Sequence, residues 1–201
     1  KESGGANKQI IVVPHKNTEF IADEIDLAII ATNSDIRASI VKQLIIKKKV
    51  KFLLLEKLLF DKEKDYYSIS EMLLRGNISA WVNCNLRTSD VFREIKKDID
   101  HKKGLEMKVE GKGWEMGCVA IHFIDLFAFF TEEIKYEVDQ MNVEFFDSKR
   151  KGFLELSGIV QISNSLGTLR MQCDNASTVS HKVIIKNGNK KYNLSGWSGN
   201  I

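Results

Sequence analysis

Short apolar runs alternate with amphipathic stretches over the first half of the chain. The apolar runs predict three strands, at residues 26–34 (DLAIIATNS, ending in a polar loop), 50–57 (VKFLLLEK) and 78–84 (ISAWVNC). Continuous runs of this kind are typical of strands that are buried on both faces of a sheet. Because strands that alternate with helices are joined by right-handed crossovers, this order predicts a parallel sheet.

The amphipathic stretches predict helices between and after these strands. The first helix begins at Asn33 or Ser34, which can cap it, and has an apolar stripe of Ile36, Ile40, Val41, Leu44 and Ile45. The second covers about 62–75 and ends at Gly76. A third is predicted near 88–99, where four apolar residues recur at helical spacing: Val91, Phe92, Ile95 and Ile99.

The pattern changes after this third helix. GLEMKVEG (104–111) predicts a strand, and GCVAIHFIDLFAFF (117–130) is long and apolar enough to be a buried helix. From 135 onward, alternating segments separated by turn residues such as NSLG and NGNK predict an antiparallel meander. The sequence therefore predicts an α/β fold. A partial Rossmann-like parallel sheet (1–87) is followed by an α+β domain with an antiparallel sheet (88–201).

The two ends of the chain have weaker patterns. Residues 10–13 (IIVV) form a short apolar run that stops at Pro14, and SGGAN at 3–7 is expected to be a flexible end. GWSGNI at 196–201 has no obvious closing element, so the second domain is expected to be incomplete.

Charge and composition argue against several function classes. The 30 basic and 27 acidic side chains are interspersed, without the basic face that nucleic-acid binding needs. No apolar run approaches the roughly 20 residues of a membrane helix. Cys84, Cys118 and Cys173 lie far apart without metal-ligand spacing, as is typical of reduced thiols in a cytoplasmic protein. A soluble cytoplasmic protein with no metal, membrane or nucleic-acid partner is expected.

Two predicted strands end in residues that suggest a binding site. Ala31, Thr32 and Asn33 follow one strand, and Glu56-Lys57 follows the next. In an open parallel sheet, ligands bind beyond the carboxyl ends of the strands. The alternative, in which Glu56 and Lys57 only solvate the end of a strand, has about equal weight on position alone.

The apolar helix contains a second candidate site. Cys118, His122 and Asp125 are spaced i, i+4 and i+7, so they share one face of the helix. A lone histidine in such a helix is more often a hydrogen-bonded core residue than a catalyst. Metal ligation is not expected, because no further Cys or His supports a zinc site.

Four motifs in order resemble one enzyme family. They are DLAIIATNSDIRASIVKQLI, VKFLLLEKLLF, AWVNCNLR and GWEMGCVAIHFIDLFAFF. They resemble the glucose-fructose oxidoreductase/inositol dehydrogenase/MocA family of NAD(P)-dependent oxidoreductases. More narrowly, they are similar to the members found with surface-polysaccharide biosynthesis. The resemblance covers most of residues 10 to 135.

The resemblance implies roles for the candidate residues. Ala31, Thr32 and Asn33 match the loop that passes under the NAD or NADP cofactor. Glu56-Lys57 matches a Glu-Lys-Pro motif whose lysine points at substrate and nicotinamide, although Leu58 replaces the proline.

The motif on the apolar helix is implied to bind substrate. His122 matches the histidine that exchanges a proton with the substrate hydroxyl, and Trp114, Cys118 and Asp125 are expected near the substrate. Cys118 stands where many members have an aspartate. A neutral thiol cannot balance the charge of an imidazolium as a carboxylate can.

These residue types suit hydride transfer from a secondary alcohol. Imidazole can accept the hydroxyl proton near neutral pH, and an ammonium can stabilise the developing alkoxide. The nicotinamide supplies the hydride chemistry. The implied function is therefore oxidation or reduction at a hydroxyl of a sugar or nucleotide-sugar. Lys57 and His122 are predicted to face one cleft.

One family element is missing from the sequence. A GxGxxG turn that supplies backbone N–H groups to the pyrophosphate is not found, so the chain is expected to begin inside the nucleotide-binding domain. It is then a truncated chain, a degenerate member or a fragmentary gene product. These 201 residues are expected to bind a dinucleotide weakly or not at all.

A non-catalytic relative is the alternative function. Such a protein would keep the fold and act as a binding or dimerisation module; Leu58, Cys118 and the missing glycine turn favour it. In either case, the alternating apolar residues of the C-terminal sheet predict a homo-oligomer that associates through that sheet.

Overall fold

A computed structural model describes residues 21–196, which form two compact units. The first unit ends at Asn83 and the second begins at Cys84. The IIVV run, the SGGAN stretch and most of GWSGNI lie outside the described residues. The predicted boundary at 87/88 falls inside a 3-10 turn, Asn85–Thr88, whose Leu86 packs into the core of the second unit.

The first unit is a three-stranded parallel sheet with two helices. Its elements are β1 (Glu24–Ile30), α1 (Ser34–Lys47), β2 (Lys49–Leu55), α2 (Glu63–Arg75) and β3 (Ser79–Val82). The strand order is β1-β2-β3, and each neighbouring pair is parallel. The predicted α/β class and parallel sheet are confirmed.

The core of the first unit lies on one face of its sheet. Val41 of α1, Leu53 of β2 and Ile69 of α2 are almost fully buried in one cluster. The opposite face of the sheet exposes apolar side chains: Leu27, Ile29, Phe52 and Trp81. Because both helices pack in the same cluster, the prediction that these strands are buried on both faces is wrong within the described residues.

The apolar stripe of α1 is rotated relative to the prediction. Ile36 is 49% exposed, whereas Arg37 is 2% exposed and lies on the buried side with Val41 and Leu44. These three residues are spaced i, i+4 and i+7 and therefore share one face of the helix. A cationic side chain thus occupies the buried face near the first turn of α1.

The second unit is a six-stranded sheet with helices. Its elements are α3 (Asp90–Lys97), β4 (Leu105–Lys112), α4 (Met116–Thr131), β5 (Glu137–Asp147), β6 (Leu154–Asn164), β7 (Gly167–Asp174), β8 (Ser180–Asn187) and β9 (Lys190–Ser195). The predicted buried helix corresponds to α4, whose side chains Phe123, Leu126 and Phe127 pack against the sheet.

The sheet of the second unit is mixed and is not a simple meander. Its order is β5-β6-β7-β4-β8-β9, with β4 parallel to β7 and antiparallel to β8. The predicted hairpins at NSLG and NGNK are confirmed, since β6 pairs with β7 and β8 with β9. However, β7 and β8 are not neighbours, because the earlier strand β4 lies between them. No helix among the described residues is long and apolar enough to cross a bilayer.

Candidate functional site

The loops that follow the three parallel strands meet at one edge of the first unit's sheet. Ile30 at the end of β1 is in register with Leu55 at the end of β2. The backbone N–H of Glu56 donates to the Ile30 carbonyl at 3.1 Å, and that of Asn83 donates to the Leu55 carbonyl at 2.8 Å. The strand pairing therefore continues one residue beyond the strand ends.

The loop after β1 leads directly into α1. Ala31 and Asn33 are exposed and Thr32 is half-buried. Asn33 is the N-cap residue, and its carbonyl accepts the N–H of Arg37 at 3.0 Å, although its side chain makes no capping bond. The hydroxyl oxygen of Thr32 is buried and has no hydrogen-bond partner among residues 21–196. Thr32 therefore has an unused polar atom at the predicted cofactor loop.

The loop after β2 contains the predicted Glu-Lys pair. Glu56 is half-buried, and its Oε1 accepts a hydrogen bond from Asn83 Nδ2 at 2.5 Å. Lys57 is also half-buried, in a bend immediately after the strand. Asn83 was not predicted as a site residue. Its position directly after a strand, like those of Thr32 and Glu56, is the signal that could have identified it.

Arg37 joins these two loops and was also missed. Its Nη1 donates to the carbonyls of Glu56 at 2.7 Å and Leu59 at 2.8 Å, and also to that of Leu58. Its Nη2 donates to the carbonyl of Thr32. Burial lowers the pKa of the Arg37 guanidinium from its ordinary value, and the negative charge of Glu56 opposes this effect. The group remains a cation, because arginine titrates far above neutral pH.

The second set of predicted residues lies on α4 in the other unit. Cys118 and His122 are half-buried and one helical turn apart. Asp125 is engaged by Arg87, whose Nε donates to Asp125 Oδ2 at 2.6 Å and whose Nη2 donates to Oδ1. Arg87 also lies over the ring of Phe129, at 5.8 Å from its centroid. The carboxylate of Asp125 is therefore neutralised by an arginine that sequence reasoning missed.

Trp114 lies in the core of the second unit. It is 2% exposed, and its indole N–H donates to the Gln172 carbonyl at 3.0 Å. The ring packs edge-to-face against Phe123 and tilted against His181, with centroids 5.7 and 6.4 Å away. These contacts explain the position of Trp114 by packing, and its contact with substrate stays a prediction.

The structure thus groups the predicted residues into two sets. Thr32, Asn33, Glu56 and Lys57 share one sheet edge in the first unit. Cys118, His122 and Asp125 share one helix in the second. The predicted pairing of Lys57 with His122 joins residues of different units and stays a prediction. Within residues 21–196, no three His, Cys, Asp or Glu side chains converge as metal ligands would.

No protein-family profile matches the sequence, and no curated protein matches it. Solved structures do match. The dehydrogenase MviM from Clostridium difficile has a TM-score of 0.66 at 15% identity, over 85% of this chain and 57% of that one. The WlbA (WbpB) dehydrogenase from Thermus thermophilus, in complex with NAD and UDP-GlcNAcA, has a TM-score of 0.59 at 16% identity, over 85% of this chain and 61% of that one.

A repressor has the same fold. A super-repressor mutant of Gal80p from Saccharomyces cerevisiae matches with a TM-score of 0.61 at 15% identity, over 85% of this chain and 55% of that one. The chain therefore spans little more than half the length of these structures. At such low identity the likeness shows the fold alone. The fold of this chain is therefore similar to that of oxidoreductases of the glucose-fructose oxidoreductase/inositol dehydrogenase/MocA type.

Proposed function

We propose that this chain is part of an NAD(P)-dependent oxidoreductase acting on a hydroxyl of a sugar or nucleotide-sugar, as in surface-polysaccharide biosynthesis. The observation on which the proposal depends is the meeting of Thr32, Asn33, Glu56 and Lys57 at the carboxyl edge of a parallel sheet. Such edges are the usual ligand-binding sites of open α/β sheets. The similarity to WlbA, which was solved with NAD and UDP-GlcNAcA, supports the proposed classes of cofactor and substrate.

The residues at the edge fit part of a dinucleotide. The Thr32 hydroxyl is a buried polar atom without a partner in the described part of the chain, and it can bond to a ribose or carboxamide group. The exposed N-terminal end of α1 directly follows Asn33. Lys57 adds a cation beside them, so these residues would hold the nicotinamide end of the cofactor.

The chain's own side chains can perform the proton chemistry of the reaction. The bound cofactor would supply the hydride acceptor or donor. His122 would accept the hydroxyl proton of the substrate, since an imidazole changes its protonation near neutral pH. An ammonium such as that of Lys57 would stabilise the negative charge that develops on a hydroxyl oxygen in such a reaction.

Nitrogen-15 NMR of the full 201-residue chain tests the cofactor site without requiring tight binding. We expect NADH at millimolar concentration to shift the amide signals of residues 31–33 and 56–57. Lys57→Ala should weaken this binding by about tenfold, the scale of one charge-assisted contact. UDP-GlcNAcA should shift the signals of residues 118–122.

Lys51→Ala is the matched control for Lys57→Ala. Lys51 lies on β2, the strand that precedes Lys57, is exposed and pairs with Asp26 at 2.6 Å, so its loss should leave NADH affinity unchanged. If NADH leaves residues 31–33 and 56–57 unshifted at millimolar concentration, or shifts only residues away from this sheet edge, the proposed cofactor site is wrong.

A non-catalytic binding or dimerisation module is the second candidate function. The same fold occurs in the repressor Gal80p, and Cys118 supplies a thiol on the helix face that also holds His122. A non-catalytic module needs no NADH at residues 31–33 and 56–57, so NADH shifts confined to this sheet edge would favour the oxidoreductase over the module.

A further inference from the structure

We propose that Arg37 is a positioning residue that fixes the loop containing Lys57 against the loop containing Thr32. Its guanidinium donates hydrogen bonds to backbone carbonyls of both loops. The inference rests on the proposed function only for the role of Lys57 toward the cofactor. The mechanical role of Arg37 can be tested without any ligand.

The contacts of Arg37 are confined to backbone carbonyls. Within one short segment it holds the carbonyls of Glu56, Leu58 and Leu59, and across the sheet edge it holds that of Thr32. Lys57 is therefore flanked on both sides by residues whose carbonyls are fixed. A five-donor planar group can bridge two loops in this way, whereas a single ammonium cannot.

The charge of Arg37 is stabilised by backbone carbonyls and not by a hydrogen-bonded carboxylate. Buried arginines are normally paired with a carboxylate. Among the described residues Arg37 makes no side-chain hydrogen bond to an acid, and the nearby carboxylate of Glu56 instead accepts from Asn83. The dipoles of four inward-pointing carbonyls therefore solvate the cation. Removing the guanidinium would leave these part-buried carbonyls without its N–H donors, so the loop should loosen or rearrange.

This arrangement differs from a general stabilising role in the core of α1. A residue that only fills the core would, when replaced, weaken the whole first unit evenly. A positioning residue would release the two loops while Val41 and Leu53, which are almost fully buried, stay protected. Amide hydrogen exchange resolves these two cases residue by residue.

Hydrogen exchange and NADH titration of Arg37→Met and Arg37→Lys in the full chain test the proposal. We expect exchange at the hydrogen-bonded amides of Glu56 and Phe60 to accelerate by about tenfold or more in Arg37→Met, with the amides of Val41 and Leu53 unchanged. NADH affinity should fall by about tenfold, because a mobile loop must be ordered again on binding. Arg37→Lys keeps the positive charge but not the planar guanidinium with its five donors, so it should restore only part of the protection.

Arg75→Met on α2 is the matched control. Arg75 has a largely exposed side chain paired with Glu71, so this change should alter neither loop exchange nor NADH binding. Unchanged exchange at the amides of Glu56 and Phe60 in Arg37→Met, or an even increase over all of the first unit, would overturn the proposal. If Arg37→Met does not fold, Arg37→Lys decides by the same criterion: loop-confined exchange supports the proposal, and full protection overturns it.

The outcomes also separate this inference from the proposed function. Faster loop exchange in the variants, with no NADH binding even to the wild type, would support the role of Arg37 and contradict the cofactor site. If wild type and Arg37→Met bind NADH equally and the loop stays protected in the variant, the cofactor site is supported and the role of Arg37 is contradicted.

Discussion

At the scale of single residues, Asp98 links α3 to the last strand of the second unit. Its two carboxylate oxygens accept hydrogen bonds from Lys190 Nζ and Tyr192 Oη, each at 2.6 Å. The hydrogen bond from Lys190 is the largest cause of the lowered pKa of Asp98. Burial, together with the hydrogen bond to Asp98 and its charge, raises the pKa of Tyr192 to about 12.

The raised pKa of Tyr192 predicts a loss of stability in alkali. The folded protein holds the phenol proton more tightly than the unfolded chain, whose tyrosines titrate near pH 10. The stability from this proton is fully present below about pH 10 and is lost as the pH rises toward 12. In Tyr192→Phe, Tm should be lower than in wild type at pH 8, and the difference should shrink between pH 10 and 12.

Thermal unfolding followed by circular dichroism at each pH measures this difference. Tyr136→Phe, at a tyrosine that is 46% exposed, is the control and should keep a constant difference from wild type. A Tyr192→Phe difference that stays constant from pH 8 to 12 would contradict the interpretation.

Sequence reasoning located the residues at the strand ends better than the residues that anchor their loops. Thr32 and Glu56 were predictable because polar residues at the ends of apolar runs mark the edge of a parallel sheet. Arg37 was not, because an arginine in an amphipathic helix is usually solvated. The spacing of Arg37 from Val41 and Leu44 places it on the buried face of the helix. Ile36, which is apolar and next to it, favoured a different apolar stripe in the prediction.

At the scale of elements, the N-terminus of α4 is capped by a side chain from β6. The N-cap residue Glu115 has a positive φ of 56° and makes no side-chain capping bond. Instead, Glu155, which is 6% exposed, accepts the N–H of Gly117 in the first turn. The same oxygen accepts the N–H of Leu156 at 3.1 Å. One buried carboxylate therefore ties the helix that contains His122 to the sheet.

Removing this cap should destabilise the second unit. Glu155→Ala leaves a buried N–H without an acceptor at the positive end of a helix, which costs about 1–3 kcal/mol. Glu155→Gln keeps an acceptor but loses the charge, so it should cost less. Urea unfolding of each variant measures the change in the free energy of unfolding.

Glu144→Ala is the control for the cap. Glu144 is an exposed glutamate on the neighbouring strand β5, and its replacement should change the free energy of unfolding by less than about 0.5 kcal/mol. Equal costs for Glu155→Ala and Glu144→Ala would show that the carboxylate does not act as a cap.

Local signals predicted the elements of the second unit, but not their order in the sheet. The hairpins at NSLG and NGNK could be predicted because a hairpin depends on local turn residues. Gly188, for example, has a positive φ of 58°. The insertion of β4 between β7 and β8 depends on pairings between distant residues, such as Met107 with Leu169. No turn residue reports these pairings, so a meander was the default prediction.

At the scale of the whole molecule, the face of the six-stranded sheet opposite α4 is largely charged. Glu110 pairs with Lys182 at 2.7 Å and with Lys108 at 2.9 Å, and Glu106 pairs with Lys186 at 3.4 Å. Large exposed apolar side chains lie instead toward the β5 edge of the sheet, on β5 and at the start of β6. They are Val138, Met141, Phe145 and Leu154. The predicted oligomer should therefore depend on the β5 side of the sheet.

The combined variant Met141→Lys and Phe145→Lys should weaken self-association. Both side chains are more than 60% exposed, so the change places charge on an apolar surface without altering the core. Light scattering after size exclusion, over a range of concentrations, measures the mass. Lys191→Glu on β9, at the opposite edge of the sheet, is the control and should keep the wild-type mass. A wild-type mass equal to one chain at every concentration would refute the oligomer.

The exposed apolar face of the first unit contains an intrinsic fluorescent probe. Trp81 is 54% exposed on that face beside Phe52, whereas Trp114 is 2% exposed in the other unit. Emission from an indole shifts to shorter wavelength when water leaves its surroundings, so Trp81 should report any occupant of the face. In a Trp197→Phe variant, which removes the third tryptophan of the chain, acrylamide should quench Trp81 and spare Trp114, so the coverage of this face can be followed in solution without a label.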